Sequence, residues 1–326
     1  MRKTLSLLLV LVLMMTALAG CSSTEPAAEE EATVTVRELS FATGGTSGTY
    51  YPLGGAIASV WNESIADLNV TIQPAGASVE NINRLASGEV DLGLAMNNVA
   101  DSAYNGAGDS FPEALTNFYA IGVVYPEVMH VVTTQKSGIK SIADLQGKRV
   151  NPGPPGSGTY VTAMEILKAF GVTDYDSNPG SFTDAVAGMK DGTLDAAFAV
   201  IAFPGSAVVE MGMARDVKIL EIDGPDFDAV QELVPFAAPF TITGGAYTGQ
   251  DEDAMTIALQ AVLYSNDELT DDEAYNLTKN LYEKTEQITA GHARGSQISI
   301  DTALNGITTP FHPGAIKYYK EVGIMD

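Results

Sequence analysis

Apolar and polar positions along this chain switch repeatedly between a strand period and a helix period. Residues 34–41 alternate apolar with polar and predict a strand, while residues 50–62 place apolar side chains three and four apart, as one face of a helix requires. Residues 70–73 predict the next strand, Ser78 caps a helix through Leu85, and residues 90–95 predict a third strand. Strands alternating with helices are the α/β pattern, and three such steps make a small doubly wound sheet.

A further apolar stretch at 118–125 runs on through 130–134, and the pattern then restarts. It predicts a helix at 142–145, a strand at 148–151 and a helix at 159–170, then a helix capped by Ser181, a strand at 196–201, a helix at 205–213 and a strand at 217–222. The restart implies a second lobe. Residues 240–243 read as a strand that re-enters the first lobe, and residues 256–264, 271–283 and 297–304 read as helices. Crossings near 125 and 245 divide the chain into lobe 1 (34–125 plus 245–326) and lobe 2 (126–244).

The N-terminus is of a different kind. Arg2 and Lys3 precede an apolar run from Leu5 to Ala17, and Leu18-Ala19-Gly20-Cys21 follows. That order is a secretory signal peptide over residues 1–20. As a permanent transmembrane helix the run is short of the ~20 apolar residues a bilayer core needs. Leu-Ala-Gly-Cys resembles the bacterial lipobox, which implies a lipid on Cys21 and an extracytoplasmic protein anchored to the cell membrane. Cys21 is the only cysteine, which excludes disulfides, cysteine-based zinc sites and a cysteine nucleophile in the domain that follows. Residues 21–33 are rich in Ser, Thr, Pro, Ala and Glu without apolar periodicity and read as a flexible tether.

A formal charge of −24 argues against nucleic-acid binding, which requires a basic face. It does not exclude an anionic ligand, because distant surface charge is screened over about 8 Å at physiological salt. An anion pocket in such a chain must be built from directed dipoles.

One repeat supplies them. Ser47-Gly48-Thr49-Tyr50 recurs as Ser157-Gly158-Thr159-Tyr160, each copy between a predicted strand and a predicted helix. A glycine-containing turn into a helix N-terminus leaves backbone N–H groups unpaired along a dipole of about half a positive charge. In open α/β sheets, ligands sit outside the carboxyl ends of the strands, where both turns fall. Ser, Gly and Thr are also ordinary capping residues. Their duplication at equivalent places favours a two-sided carboxylate clamp.

Other chemistries find less support. Residues 153–159 (GPPGSGT) look like a phosphate loop, but Thr159-Tyr160 stands where such a loop needs Lys-Ser/Thr. His130, His292 and His312 have no metal-ligand spacing, and no nucleophile elbow is present. The acidic runs 251–253 and 271–273 read as solvated helix starts. We expect no enzyme activity, no cofactor and no metal.

Longer segments carry a family resemblance: 43–55 (TGGTSGTYYPLGG), 78–81 (SVEN) with 85–91 (LASGEVD), 142–148 (IADLQGK) with the 156–159 turn, 191–198 (DGTLDAAF) and 312–319 (HPGAIKYY). Across essentially the whole mature chain the sequence resembles the TAXI-type solute-binding proteins of tripartite ATP-independent periplasmic (TRAP) transporters. The resemblance implies a two-lobed α/β fold of the type II periplasmic-binding-protein kind, hinge closure on a ligand, and delivery to an ion-driven permease. It implies small carboxylate ligands such as glutamate, glutamine or 2-oxoglutarate. It places the pocket at Thr46, Ser47, Gly48, Thr49 and Tyr50, at Asn97 and Asn98 after the third strand, and at Ser157, Gly158, Thr159 and Tyr160. Asn97-Asn98 departs from the glutamine-aspartate type of pair expected there, so no ligand identity is carried over. Phe203 and Tyr247 are further candidates, and Tyr125 is of the same kind. The same fold also serves extracellular sensor domains that dock a signalling receptor. A neighbouring permease gene would favour transport, and a neighbouring sensor-kinase gene would favour signalling.

Overall fold

The computed structural model describes residues 36–326, so the expected signal peptide, Cys21, the expected tether and residues 34–35 of the expected opening strand lie outside the described residues. In chain order the elements are β1 (Arg37–Ala42), α1 (Tyr50–Ser64), β2 (Leu68–Gln73), α2 (Ser78–Ala86), β3 (Leu92–Met96), α3 (Asn97–Asn105) and β4 (Phe118–Thr134). They continue with β5 (Arg149–Asn151), α4 (Gly158–Ala169), β6 (Asp176–Ser177), α5 (Phe182–Asp191), β7 (Ala196–Ile201), α6 (Ser206–Ala214), β8 (Val217–Ile219), α7 (Gly224–Leu233) and β9 (Ala238–Ile242). The chain closes with β10 (Ala254–Asn266), α8 (Asp271–Glu283), α9 (Thr285–Gly291) and α10 (Pro313–Glu321).

One sheet runs through both lobes in the order β2-β1-β3-β10-β4-β7-β5-β6, with β8 on β4 and β9 on β10. The strands β1, β2 and β3 are parallel, as are β5, β6 and β7, which is the geometry of strand-helix-strand crossovers. Two long antiparallel strands join the halves. β4 pairs with β10 from Phe118 to Val128 and with β7 from Val128 to Val132. β10 pairs with β9 from Ala254 to Ala258 and with β3 from Ala261 to Ser265. Glu127 stands opposite Leu259 where both strands change partners. This is a mixed α/β, two-lobed arrangement, as the sequence predicts.

Residues 256–264, expected as a helix, are strand. β10 is buried on both faces: Leu259, Val262 and Tyr264 enter one core while Ala261 and Leu263 enter another. A strand apolar on both faces reads as a continuous apolar run, which periodicity cannot separate from a buried helix. The strand near 240 pairs with the beginning of β10. Residues 142–145 form a single 3₁₀ turn, and the stretch expected as a helix at 297–304 is irregular, with short 3₁₀ turns at Ala293–Gln297 and Ile300–Thr302. Helices α3, α7, α9 and α10 were not anticipated.

Two local devices hold the first turn in place. Asn81, fully buried on α2, donates from Nδ2 to the carbonyls of Thr43 (2.6 Å) and Leu94 (2.7 Å), tying the end of β1 to the end of β3. Gly54 on α1 lies so close to Phe41 and Thr43 that an added Cβ would fall 2.7 Å from Thr43 Cγ2. Helix and strand therefore pack at glycine distance, which fixes where the N-terminus of α1 points. Among the described residues no helix is long and apolar enough to cross a membrane.

Candidate functional site

Four helix N-termini converge on a cavity of about 250 Å³ between the lobes. The turn into α1 contributes Gly44, Gly45 and Ser47 to Tyr50, and the turn into α2 contributes Ala75 to Ser78. The second lobe contributes Pro154 and Ser157 to Thr159 at the start of α4, Ser181 and Phe182 at the start of α5, and Val200 from β7. Met96 at the end of β3, and Tyr125 and Glu127 on β4, complete the wall. No lysine, arginine or histidine lines the cavity, so the donors it offers a ligand are aligned peptide dipoles, N–H groups and hydroxyls.

The local sequence explains the convergence. In α4, Ser157 is the N-cap: its Oγ accepts from Tyr160 N–H and donates to the Pro154 carbonyl at 2.6 Å. Its single hydroxyl proton is thereby committed, which leaves the N–H groups of Gly158 and Thr159, the first two of the helix, as the donors of this turn. The α1 cap, Thr49, makes no side-chain bond to its own helix. Its Oγ1 instead accepts from Ala202 N–H across the cleft at 3.2 Å. The α2 N-terminus follows Ala77, whose φ of 73° is a left-handed conformation that a residue with a Cβ rarely adopts.

The cleft is closed. Val79 and Glu80 N–H donate to the Gly156 carbonyl at 3.1 and 3.3 Å, and Asn98 Nδ2 donates to Thr162 Oγ1 at 3.3 Å. The Arg294 guanidinium donates to the carbonyls of Phe203 (2.7 Å) and Pro204 (3.0 Å). Each of these bonds joins one lobe to the other.

Eight of the candidate residues share the cavity: Ser47, Gly48, Thr49, Tyr50, Tyr125, Ser157, Gly158 and Thr159. Thr46 is exposed and is not part of the wall. Asn97 is buried at the start of α3, donating to the Gly306 carbonyl (3.0 Å) and accepting from Gln260 N–H (3.1 Å), so its amide braces β10. Asn98 and Tyr160 line a separate cavity between α3 and α4. Phe203 and Tyr247 pack on each other and on His130 away from the wall. His130 donates from Nδ1 to the Val128 carbonyl (2.9 Å), so Nε2 accepts from Tyr247 Oη (2.8 Å), which in turn accepts from Gly205 N–H (2.7 Å). Burial lowers the His130 pKa to about 4, so the ring is neutral in this chain of bonds.

Glu127 was not anticipated. Its side chain is 3% exposed, and its two oxygens accept from Tyr50 Oη (2.7 Å) and Tyr125 Oη (3.2 Å). Burial pushes its pKa up to about 8 against the lowering effect of these two bonds, while both tyrosines are raised well above their usual value by burial and remain donors. The signal was available: a lone carboxylate inside the long apolar run of β4.

The raised pKa has a stability consequence with a definite sign. The unfolded carboxyl ionises near 4.5 while the folded one holds its proton to about 8. The favourable contribution is complete below pH 4.5 and is lost as pH rises through 8. Glu127→Gln is therefore expected to stabilise the ligand-free protein by a few kcal/mol at pH 8.5 and to change nothing near pH 4.5. Urea unfolding at the two pH values checks this; equal stability at both would mean that Glu127 folds as an anion.

Comparison with known proteins agrees with this architecture. A structure from Bordetella bronchiseptica RB50 superposes with a TM-score of 0.50 at 17% identity, covering 89% of this chain and 91% of that one. A Xanthomonas citri protein solved with ATP bound gives 0.50 at 11% identity, covering 87% and 95%. The periplasmic aliphatic sulphonate binding protein of Escherichia coli gives 0.46 at 15% identity, covering 87% and 78%. At these identities the two matches at 0.50 speak to fold alone. The sequence itself matches a family description over residues 41–323, nearly the whole described domain: the chain belongs to the NMT1-like family.

Proposed function

We propose that this chain is an extracytoplasmic solute-binding protein that closes its lobes on a small carboxylate and hands it to a membrane permease of the ion-driven TRAP type, held at the membrane by a lipid on Cys21. The observation that carries the reading is the meeting of four helix N-termini on a cavity whose wall holds no cationic side chain. Such a site recognises an anion by directed donors, and its volume of about 250 Å³ lies below the roughly 300–1,000 Å³ typical of drug-sized ligands. A small metabolite fits that space better than a nucleotide or an oligosaccharide. The donors are the turns 47–50 and 157–159, and the motion is a bend of β4 and β10 where they change partners.

Binding to the native state alone raises the melting temperature by mass action. A thermal-shift screen of glutamate, glutamine, 2-oxoglutarate, succinate and fumarate against sugars and nucleotides should therefore yield a shift of several degrees with at least one carboxylate and none with nucleotides. A shift with a sugar or nucleotide and with no carboxylate would overturn the reading. The permease class has its own test: uptake should follow an ion gradient, and dependence on ATP would assign an ABC-type partner instead.

A further inference from the structure

The cavity wall carries one carboxyl group, and anion binding by helix dipoles leaves it without a task. Tyr50 and Tyr125 each have one hydroxyl proton and each directs it at Glu127. Neither tyrosine is then a donor to the ligand. Glu127 keeps lone pairs free after accepting two bonds, since a carboxylate offers about four acceptor sites. It lines the cavity at the floor of the cleft, where β4 and β10 change partners.

We propose that Glu127 is the receptor for a cationic nitrogen, so that the cargo is a zwitterion of the α-amino acid class and simple mono- and dicarboxylates are rejected. This rests on the carboxylate reading above and narrows it. Charge complementarity is the reason. The groups facing Glu127 are Tyr50 from α1 and Tyr125 from its own strand. The second-lobe wall opposite offers Ser157, Thr159, Ser181 and Phe182, none of which carries charge. Arg294, whose charge acts on Tyr125, spends its hydrogen bonds on the carbonyls of Phe203 and Pro204. An ionised Glu127 thus has no protein partner of opposite charge, and a buried unpaired charge costs several kcal/mol. A ligand ammonium supplies that partner, while the ligand carboxylate takes the N–H groups of the α1 and α4 turns. A dianion would instead set its second charge in a wall with no cation to meet it.

The proton balance follows. At neutral pH the free protein holds a proton on Glu127, since burial keeps the carboxyl neutral up to about pH 8. When the ammonium docks, Glu127 ionises and that proton leaves to solvent. Binding near pH 7 is then accompanied by release of up to one proton per ligand. If Glu127 instead kept its proton and donated it to a ligand carboxylate, no proton would be released and glutamine in its place would serve as well.

The test is isothermal titration at pH 7 in two buffers of different ionisation enthalpy, with amino acids matched to their des-amino acids: L-glutamate with glutarate, L-glutamine with glutaramate, L-leucine with 4-methylpentanoate and L-alanine with propanoate. We expect the amino member alone of at least one pair to bind, with net proton release, and Glu127→Gln to weaken that binding roughly ten- to a hundredfold. Equal binding of both members of a pair, or full affinity in Glu127→Gln, would overturn the role of Glu127 while leaving the carboxylate reading intact. Binding by no member of any pair would remove the carboxylate reading and this inference with it.

Discussion

Replacing Gly158 with valine is expected to abolish ligand-driven closure while leaving the protein folded. Gly158 opens α4 without a positive φ, so its backbone accepts a side chain. Space does not. An added Cβ would collide with Met96 Sδ and stand 2.8 Å from Ser78 Oγ, both on the opposite lobe. That close approach exists only when the cleft is shut, so the open form is spared. Removing the second-lobe donors, worth about 3 kcal/mol or more, should cost at least ~100-fold in affinity. Titration with the best ligand of the screen, beside small-angle scattering with and without it, reads both effects. Affinity within threefold of the parent would show that closure in solution leaves room for a valine between Ser78 and Met96.

The largest effect on stability is expected at Asn81. Asn81→Leu keeps nearly the same volume but removes the Nδ2 donors, leaving the carbonyls of Thr43 and Leu94 unpaired in a region that excludes water. At roughly 1–3 kcal/mol for each of the two stranded groups, the loss should be about 2–6 kcal/mol. Urea unfolding measures it, and a loss below about 1 kcal/mol would mean that the strand ends find other partners. Because Thr43 leads directly into the glycines of the first turn, ligand affinity should fall in the same variant.

Much of the fold was legible from sequence because most of its elements bury one face and carry explicit caps. Ser181 and Thr270 form capping boxes with Asp184 and Glu273, and α5 and α8 begin where those signals stand. β10 was misread because alternate side chains enter different cores and leave no polar face to betray the period of two. α3 was missed because Asn97 and Asn98 suggest the end of a strand, whereas Met96 supplies the extended residue and the helix starts directly after it. The 47–50 and 157–159 turns were found because each is a local motif repeated in the chain. Glu127 was not, because its meaning lies in two partners, of which Tyr125 is two residues away in sequence but Tyr50 is 77. Phe203 and Tyr247 stood out as aromatic residues beside turns. Their packing on His130 depends on β4 pairing with β7 on one side and with β10, which carries β9, on the other, and no local pattern encodes that.

The bonds between Gly156 and α2, between Asn98 and Thr162, and between Arg294 and the 203–204 carbonyls lie around the ligand space rather than in it. Whatever free energy they contribute to shutting the cleft is free energy that the cargo need not supply, and the apparent dissociation constant scales inversely with the fraction of protein already competent to bind. Strength of capture and choice of cargo are thus written in different residues. On the proposed function, selection can retune this protein for scarce or abundant nutrient at its rim while the chemistry of the wall, and so the identity of what is carried, stays as it was.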